Sequence, residues 1–197
     1  MTPATPNARV RLGSGLVPLA TAANADFNAM VRPYMQELSE ELRESANFSM
    51  LDGKMMMFID EIWIDMRLLS ATKSRVGMTY NLYDCVHGTA VLAQLSDYEL
   101  DNVLPDRLIP RTKRTMLSKA AIKEQLQEIH EEGVAFSQEE HKLDTSAVAT
   151  LLRDPFGRKI ALSVPVPSIR FYGSQHQLVD GLKKHTTATE MALGNLP

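Results

Sequence analysis

The sequence predicts an α+β domain with a mostly antiparallel sheet. Helical patterns lie near both ends of the chain, and short apolar segments separated by turn signals fill the middle. The chain has 197 residues, of which 44% are hydrophobic and 23% charged. That length and composition are typical of one globular domain, or of one domain with a short arm.

The first helices are predicted between about residue 15 and residue 42. One pattern runs to about residue 24, and a stronger one follows with Asp26 as its candidate N-cap. Pro33 interrupts the second pattern and predicts a kink or a break. Apolar residues recur there at intervals of three and four, which places them on one face of a helix: Phe27, Met30, Val31, Tyr34, Met35, Leu38 and Leu42.

The sequence pattern that follows predicts short strands. Asp52-Gly53 separates two apolar segments, 47–51 and 54–62, and is a strong hairpin signal because a type I′ turn needs positive φ at both central positions. The sequence from Asp154 to Gly157 has the composition of a second turn. Further strands are predicted at 66–71, 79–83, 147–152 and 159–164.

Helices are predicted in the remaining segments. A helix rich in small residues covers 85–95, and Ser96 with Glu99 forms a capping box that opens the next one. A longer helix starts at Ser118 and ends before Gly133. A second capping box at Ser174 predicts the start of the last helix, which ends near residue 194.

Composition excludes several classes of protein. With 21 basic and 24 acidic residues the net charge is −3, which argues against a nucleic-acid binder. The single cysteine excludes an intramolecular disulfide and a Cys-rich zinc site. No apolar run is long enough to cross a bilayer, and residues 1–8 lack the apolar stretch of a secretion signal. We therefore expect a cytoplasmic domain, with residues 1–9 a flexible leader or a remnant of an interdomain linker.

Catalytic motifs are weak. Cys85 and His87 could form a thiol enzyme, but residues two apart on a helix point to nearly opposite sides, so a buried structural cysteine is favoured. The sequence has no P-loop, no dinucleotide-binding glycine motif and no nucleophile elbow. We expect no enzymatic activity, no metal and no cofactor.

Two charged groups are interpreted as solvated surface. One group is the pair of segments 130–132 and 139–141, each with a histidine beside two glutamates, and the other is a basic cluster in a proline-flanked loop. The basic cluster consists of Arg107, Arg111, Lys113 and Arg114.

Several segments, taken in their order, carry a resemblance to a known family. They are Val10–Gly13, Val31–Leu38, Asn47–Gly53, Met57–Asp60, Arg75–Gly77, Asn81–Ala93, Gly133–Glu140, Arg153–Gly157 and Ala161–Ser163. From residue 10 to about residue 194 the chain resembles the C-terminal effector-binding domain of IclR-type transcriptional regulators. Residues 10–197 would form that domain, without the family's winged-helix DNA-binding domain.

The resemblance implies a GAF-like fold, in which helices pack on a curved, mostly antiparallel sheet. It implies a sensor that binds a small organic acid or an aromatic compound and assembles as a homodimer or tetramer. Such a sensor contacts DNA only through the winged-helix domain and has no membrane partner. A degenerate oligomerisation domain without a ligand is the alternative.

The resemblance also implies a set of effector-binding residues. Backbone amides of Val86 and His87 would meet the effector at the start of a helix. Other positions fall on the strands and their neighbours: Ser137, Ala147, Ser163 and Pro165 at the family's polar positions, and Leu69, Tyr80 and Thr145 at its apolar ones.

Departures at these positions weaken the expectation of a carboxylate ligand. Ala147 and Pro165 offer no side-chain hydrogen bond, and Asp84 would repel an anion beside it unless turned away or protonated. A larger, aromatic or neutral ligand fits these changes, and so does the absence of a ligand.

Overall fold

The computed structural model describes residues 16–64, 76–154 and 157–194, with side chains from residue 27 onward. The predicted strand at 66–71, the site residue Leu69 and the leader at 1–9 lie outside the described residues. The described elements, in chain order, are α1 (Leu16–Leu42), β1 (Ala46–Asp52), β2 (Met55–Ile62), β3 (Thr79–Asn81), α2 (Val86–Leu92), α3 (Asp97–Val103), α4 (Lys119–Glu132), β4 (Ala135–Lys142), β5 (Thr145–Arg153), β6 (Lys159–Pro167) and α5 (Ser168–Ala192).

The strands form one curled sheet in the order β3-β2-β1-β6-β5-β4. Every neighbouring pair is antiparallel, as the sequence predicts. The hairpin is confirmed: Asp52 pairs with Met55, so that Gly53 and Lys54 form the turn, and Gly53 has a φ of 59°. The prediction of Asp52 as a central turn residue with positive φ is wrong, because Asp52 is the last residue of β1. The sheet therefore joins the two halves of the chain along β1 and β6.

The two faces of the sheet are built from side chains of different size. Val148, Leu162 and Val164 are fully buried on the face that packs against α1 and α5. Ala149 and Ala161 point to the other face, toward α2 and α4. Alternate residues of a strand face opposite sides, so this pattern makes one face densely packed and leaves space over the other.

Helix α1 is one continuous helix, so the prediction of Asp26 as an N-cap is wrong, and Pro33 lies inside it. Val31 and Met35, on either side of the proline, are 1% and 0% exposed against the sheet. Burying such side chains contributes about 1.5–3 kcal/mol each, which offsets the hydrogen bond that proline cannot donate.

In the C-terminal half, one prediction is wrong and one strand has no counterpart among the predictions. Helix α5 begins at Ser168, and Ser174 lies inside it with its hydroxyl donating to the Arg170 carbonyl at 2.9 Å. Strand β4 was not predicted, because its second half is charged and lacks strand-like alternation. No helix among the described residues is long and apolar enough to cross a membrane.

Candidate functional site

A cavity of about 90 Å³ lies between the small-residue face of the sheet and the start of α2. One water needs roughly 10–15 Å³ by the same measure, so the cavity has room for a small ring compound. Its walls come from β1, β2, β3, α2, β4, β5 and β6. The lining residues are Asn47, Phe58, Tyr80, Cys85, Val86, His87, Ser137, His141, Lys142, Thr145, Ala147, Ser163 and Pro165.

The cavity brings together eight of the nine residues that the sequence predicts for an effector site. They come from five separate elements, and Leu69, the ninth, lies outside the described residues. The eight are Tyr80, Val86, His87, Ser137, Thr145, Ala147, Ser163 and Pro165.

The start of α2 is held in place by a glycine. Cys85 is the N-cap residue in extended conformation, and the chain turns directly into the helix. A Cβ at Gly88 would lie 2.1 Å from the carbonyl oxygen of Leu82, a contact that no side chain permits. Gly88 therefore allows α2 to approach the preceding turn, and this approach places Val86 and His87 at the cavity.

His87 and Ser163 form the buried polar pair of the cavity. His87 is 4% exposed and Ser163 is 0% exposed, and His87 Nε2 shares a hydrogen bond of 2.6 Å with Ser163 Oγ. Burial, with a smaller contribution from nearby His141, lowers the pKa of His87 from 6.5 to about 3. The imidazole is therefore neutral at physiological pH, and the pair presents hydrogen-bonding groups without charge.

His141 joins the cavity to the buried carboxylate of Asp84. Its Nδ1 lies 3.2 Å from the Asp84 carbonyl oxygen and 3.3 Å from Asp84 Oδ1, and Asn81 Nδ2 donates to the other carboxylate oxygen at 2.8 Å. Since the backbone carbonyl can only accept, His141 Nδ1 carries the proton. Asp84 is 0% exposed and turned toward these partners.

A bulge in β4 aims His141 inward. The pairing with β5 shifts between Gln138 and Lys142, and Glu139 has a φ of 68°. Thr112 Oγ1 donates to the Glu139 carbonyl and Thr115 Oγ1 to the Glu140 carbonyl, each at 2.7 Å. The interpretation of His141 as solvated surface is therefore wrong, because an irregular strand gives this residue a direction that regular alternation does not.

Four rings make a continuous wall of the cavity. Phe58 contacts Tyr80 and His87 edge-on at centroid distances of 5.0 and 4.7 Å, and Tyr80 contacts His141 in the same way at 4.7 Å. The Arg111 guanidinium lies 5.6 Å from the centre of the Tyr80 ring, and Arg111 is exposed. The rest of the basic cluster is exposed too, as expected for a solvated loop.

Cys85 has the properties of a structural cysteine. Its Sγ donates to the Asn81 carbonyl at 3.1 Å, and burial raises its pKa from 9.0 to about 12. The thiol is therefore protonated at neutral pH, and the base it would need, His87, is bound to Ser163. The thiol-enzyme hypothesis is wrong. The described residues also contain no group of three or more His, Cys, Asp or Glu side chains that could hold a metal.

Sequence reasoning missed five lining residues as site residues: Asn47, Phe58, Cys85, His141 and Lys142. Asn47 and Phe58 occupy strand positions whose side chains face α2, and the polar Asn47 among apolar neighbours was a usable signal. His141 and Lys142 follow the β4 bulge, for which the sequence contains no clear signal.

The candidate site is thus a cavity over a curled antiparallel sheet, lined by aromatic rings and by the buried His87–Ser163 pair. A family model described as "Bacterial transcriptional regulator IclR C-terminal" matches residues 19–190. The chain belongs to this family, as its C-terminal domain, and the resemblance found in the sequence is confirmed.

Relatives in the curated set are transcriptional regulators. The HTH-type transcriptional regulator Rv1719 of Mycobacterium tuberculosis is 36% identical over 172 residues, covering 87% of this chain and 66% of that protein. The HTH-type transcriptional regulator TtgV of Pseudomonas putida is 31% identical over 188 residues, covering 93% and 70%. The chain thus spans about two thirds of the length of these relatives. Because the relatives are regulators and not enzymes, the expectation of a non-enzymatic domain is confirmed.

Solved structures agree on the fold. The Thermotoga maritima IclR superposes with a TM-score of 0.80 at 22% identity, covering 92% of this chain and 75% of that one. An IclR homolog of Microbacterium hydrocarbonoxydans, crystallised in complex with 4-hydroxybenzoate, gives a TM-score of 0.81 at 18% identity, covering 94% and 76%. The predicted GAF-like α+β fold is confirmed.

Proposed function

We propose that this domain senses a small organic acid or aromatic compound and thereby controls DNA binding by a winged-helix domain. The observation that carries the proposal is the cavity, around which eight residues expected of an effector site meet. Those residues are far apart in the chain, and their convergence on one concave space is what a binding site requires. The bound homolog from Microbacterium hydrocarbonoxydans supports a small-molecule ligand in this fold.

The alternative, an oligomerisation domain without a ligand, is less well supported by the cavity. A domain with a purely structural role would gain stability by filling that space, since unfilled apolar volume costs packing energy. Small side chains at Ala147 and Ser163 keep the space open on the sheet. We propose that the domain also assembles as a homodimer or tetramer, as the family resemblance implies.

A thermal-shift screen tests the proposal. The purified chain is heated with a panel of small carboxylic and aromatic acids and their neutral analogues. A ligand at about 100 times its dissociation constant adds about 2.7 kcal/mol to the folded state, or several degrees at this size. We expect at least one ligand to give such a shift.

Two serine variants locate the site. Ser163→Ala should reduce the shift, because Ser163 Oγ is the hydroxyl at the inner end of the cavity. Ser39→Ala is the matched control: Ser39 is 1% exposed on α1, and its hydroxyl has no hydrogen-bond partner among the described residues. An equal reduction of the thermal shift in both variants would show that Ser163 is not part of the site. The absence of a thermal shift with every compound of the panel would favour the oligomerisation domain without a ligand.

A further inference from the structure

The side chains that line the cavity offer a ligand mainly aromatic rings and neutral hydrogen-bonding groups, and little positive charge. The side chains at its inner end are those of His87 and Ser163, buried and neutral. Thr145 and Ser137 add hydroxyl groups, and Asn47 adds an amide. None of these side chains can neutralise a carboxylate.

The charged side chains near the cavity place no buried positive charge at its inner end. The Asp84 carboxylate, 3.3 Å from His141 Nδ1, is fully buried beside the lining residue Cys85. Asp84 and His141 together supply no net positive charge, whichever protonation state the imidazole adopts. Lys142 and Arg111 are cations on exposed residues, where water and salt screen them. A carboxylate at the inner end would lose its hydration without gaining a charged side chain as its partner.

The ring wall sets the shape of the ligand. Phe58, Tyr80, His87 and His141 present ring edges and faces along one side. Ala147 and Pro165, which pair across β5 and β6, line the cavity with short side chains. An aromatic ring gains both apolar burial and edge-to-face contact in such a slot.

The His87–Ser163 pair sets the polar group of the ligand. If Ser163 Oγ donates the hydrogen bond to His87 Nε2, a lone pair of Ser163 Oγ is left for a further partner. If His87 Nε2 donates it, the hydroxyl hydrogen of Ser163 is left instead. A hydroxyl group can donate or accept and so satisfies either arrangement, whereas a carboxylate can only accept. We propose that this site selects uncharged hydroxy-aromatic compounds of the phenol class over aromatic carboxylates. This inference rests on the proposed function, because it names the ligand class of the same cavity.

Calorimetric titration of the purified chain with phenol, benzoate and toluene tests the inference. The three share one ring and differ only in the group that would meet Ser163. We expect phenol to bind about tenfold more tightly than benzoate, a difference of about 1.4 kcal/mol. We also expect phenol to bind more tightly than toluene, and Ser163→Ala to reduce phenol affinity to that of toluene while leaving toluene affinity unchanged.

The outcomes separate the inference from the proposed function. Benzoate that binds as tightly as phenol or more tightly would overturn the inference and leave the ligand-binding function standing. Failure of all three compounds to bind at millimolar concentration would overturn the inference and count against the proposed function. An unchanged phenol affinity in Ser163→Ala would overturn the placement of the hydroxyl. A gain in benzoate affinity in Asp84→Asn, relative to phenol, would support the role of the buried carboxylate.

Discussion

His87 shows how one buried residue determines the chemistry of the cavity. An exposed histidine titrates near physiological pH and can carry charge there. His87 packs edge-on against Phe58 and is hydrogen-bonded to Ser163, and burial lowers its pKa to about 3. The residue thus acts as a neutral hydrogen-bonding group, and not as a cation or a catalytic base.

This burial predicts a specific acid sensitivity. Because the pKa of His87 is depressed in the folded state, the unfolded chain binds the extra proton between about pH 6.5 and pH 3. The stability that neutral His87 contributes is complete above about pH 6.5 and is lost as the pH falls, by up to about 1.4 kcal/mol per pH unit. Acidification from about pH 7 to about pH 5 should therefore lower the free energy of unfolding of the native chain by about 2 kcal/mol more than that of His87→Gln. Denaturant unfolding at both pH values measures this difference.

His176 provides the control for that experiment. Its side chain is 92% exposed on α5, beside Asp180, so His176→Gln removes an imidazole from the surface. We expect this variant to follow the native pH dependence closely. If His87→Gln and His176→Gln lose stability in parallel with the native chain on acidification, His87 is not held neutral by burial.

At the scale of elements, the approach of α2 to the preceding turn is what positions the site. A methyl group at Gly88 would overlap the Leu82 carbonyl, whereas one at Gly173, inside α5, would meet nothing within 4 Å. Gly88→Ala should destabilise the fold by about 3 kcal/mol through forced backbone movement. Gly173→Ala should stabilise it by about 0.5–1 kcal/mol, because alanine loses less entropy in a helix. Chemical denaturation measures the free energy of unfolding of both variants. Equal changes in the two variants would show that α2 can shift at little cost.

Elements with a local signal were predictable from the sequence. Helix α4 begins after Ser118, whose hydroxyl accepts from the Ala121 amide, and ends at Gly133 with a φ of 72°. The β1–β2 hairpin follows from Asp52-Gly53 in the same way. In each case the deciding interaction lies within a few residues of the signal.

Elements that depend on distant contacts were not predictable. Strand β4 is stabilised by pairing with β5 and by hydroxyl groups of the 112–115 turn, none of which its own charged sequence indicates. Ser174 resembles a helix cap, yet α5 begins six residues earlier because Phe171 is buried against the sheet. The cavity positions came from the family resemblance. His141 had no such guide, since its direction depends on the bulge.

At the scale of the whole molecule, the proposed assembly makes a simple prediction. Sedimentation of the purified chain at working concentration should give a mass that is a multiple of the 22.0 kDa chain, corresponding to a dimer or a tetramer. Sedimentation at high dilution then measures the dissociation of that assembly. A mass of one chain at every concentration would contradict the proposed homo-oligomer while leaving the cavity unaffected.

We propose that the space between the sheet and α2 is a ligand site. The most direct measurement is a calorimetric titration of the native chain and of Ala147→Leu with the compound that gives the largest thermal shift. Ala147 is 8% exposed and lines the cavity from β5, so a leucine there occupies the space that a ligand needs. We predict that binding heat is lost in Ala147→Leu while its circular dichroism stays native. Undiminished binding in a folded Ala147→Leu would place the ligand elsewhere and contradict the account.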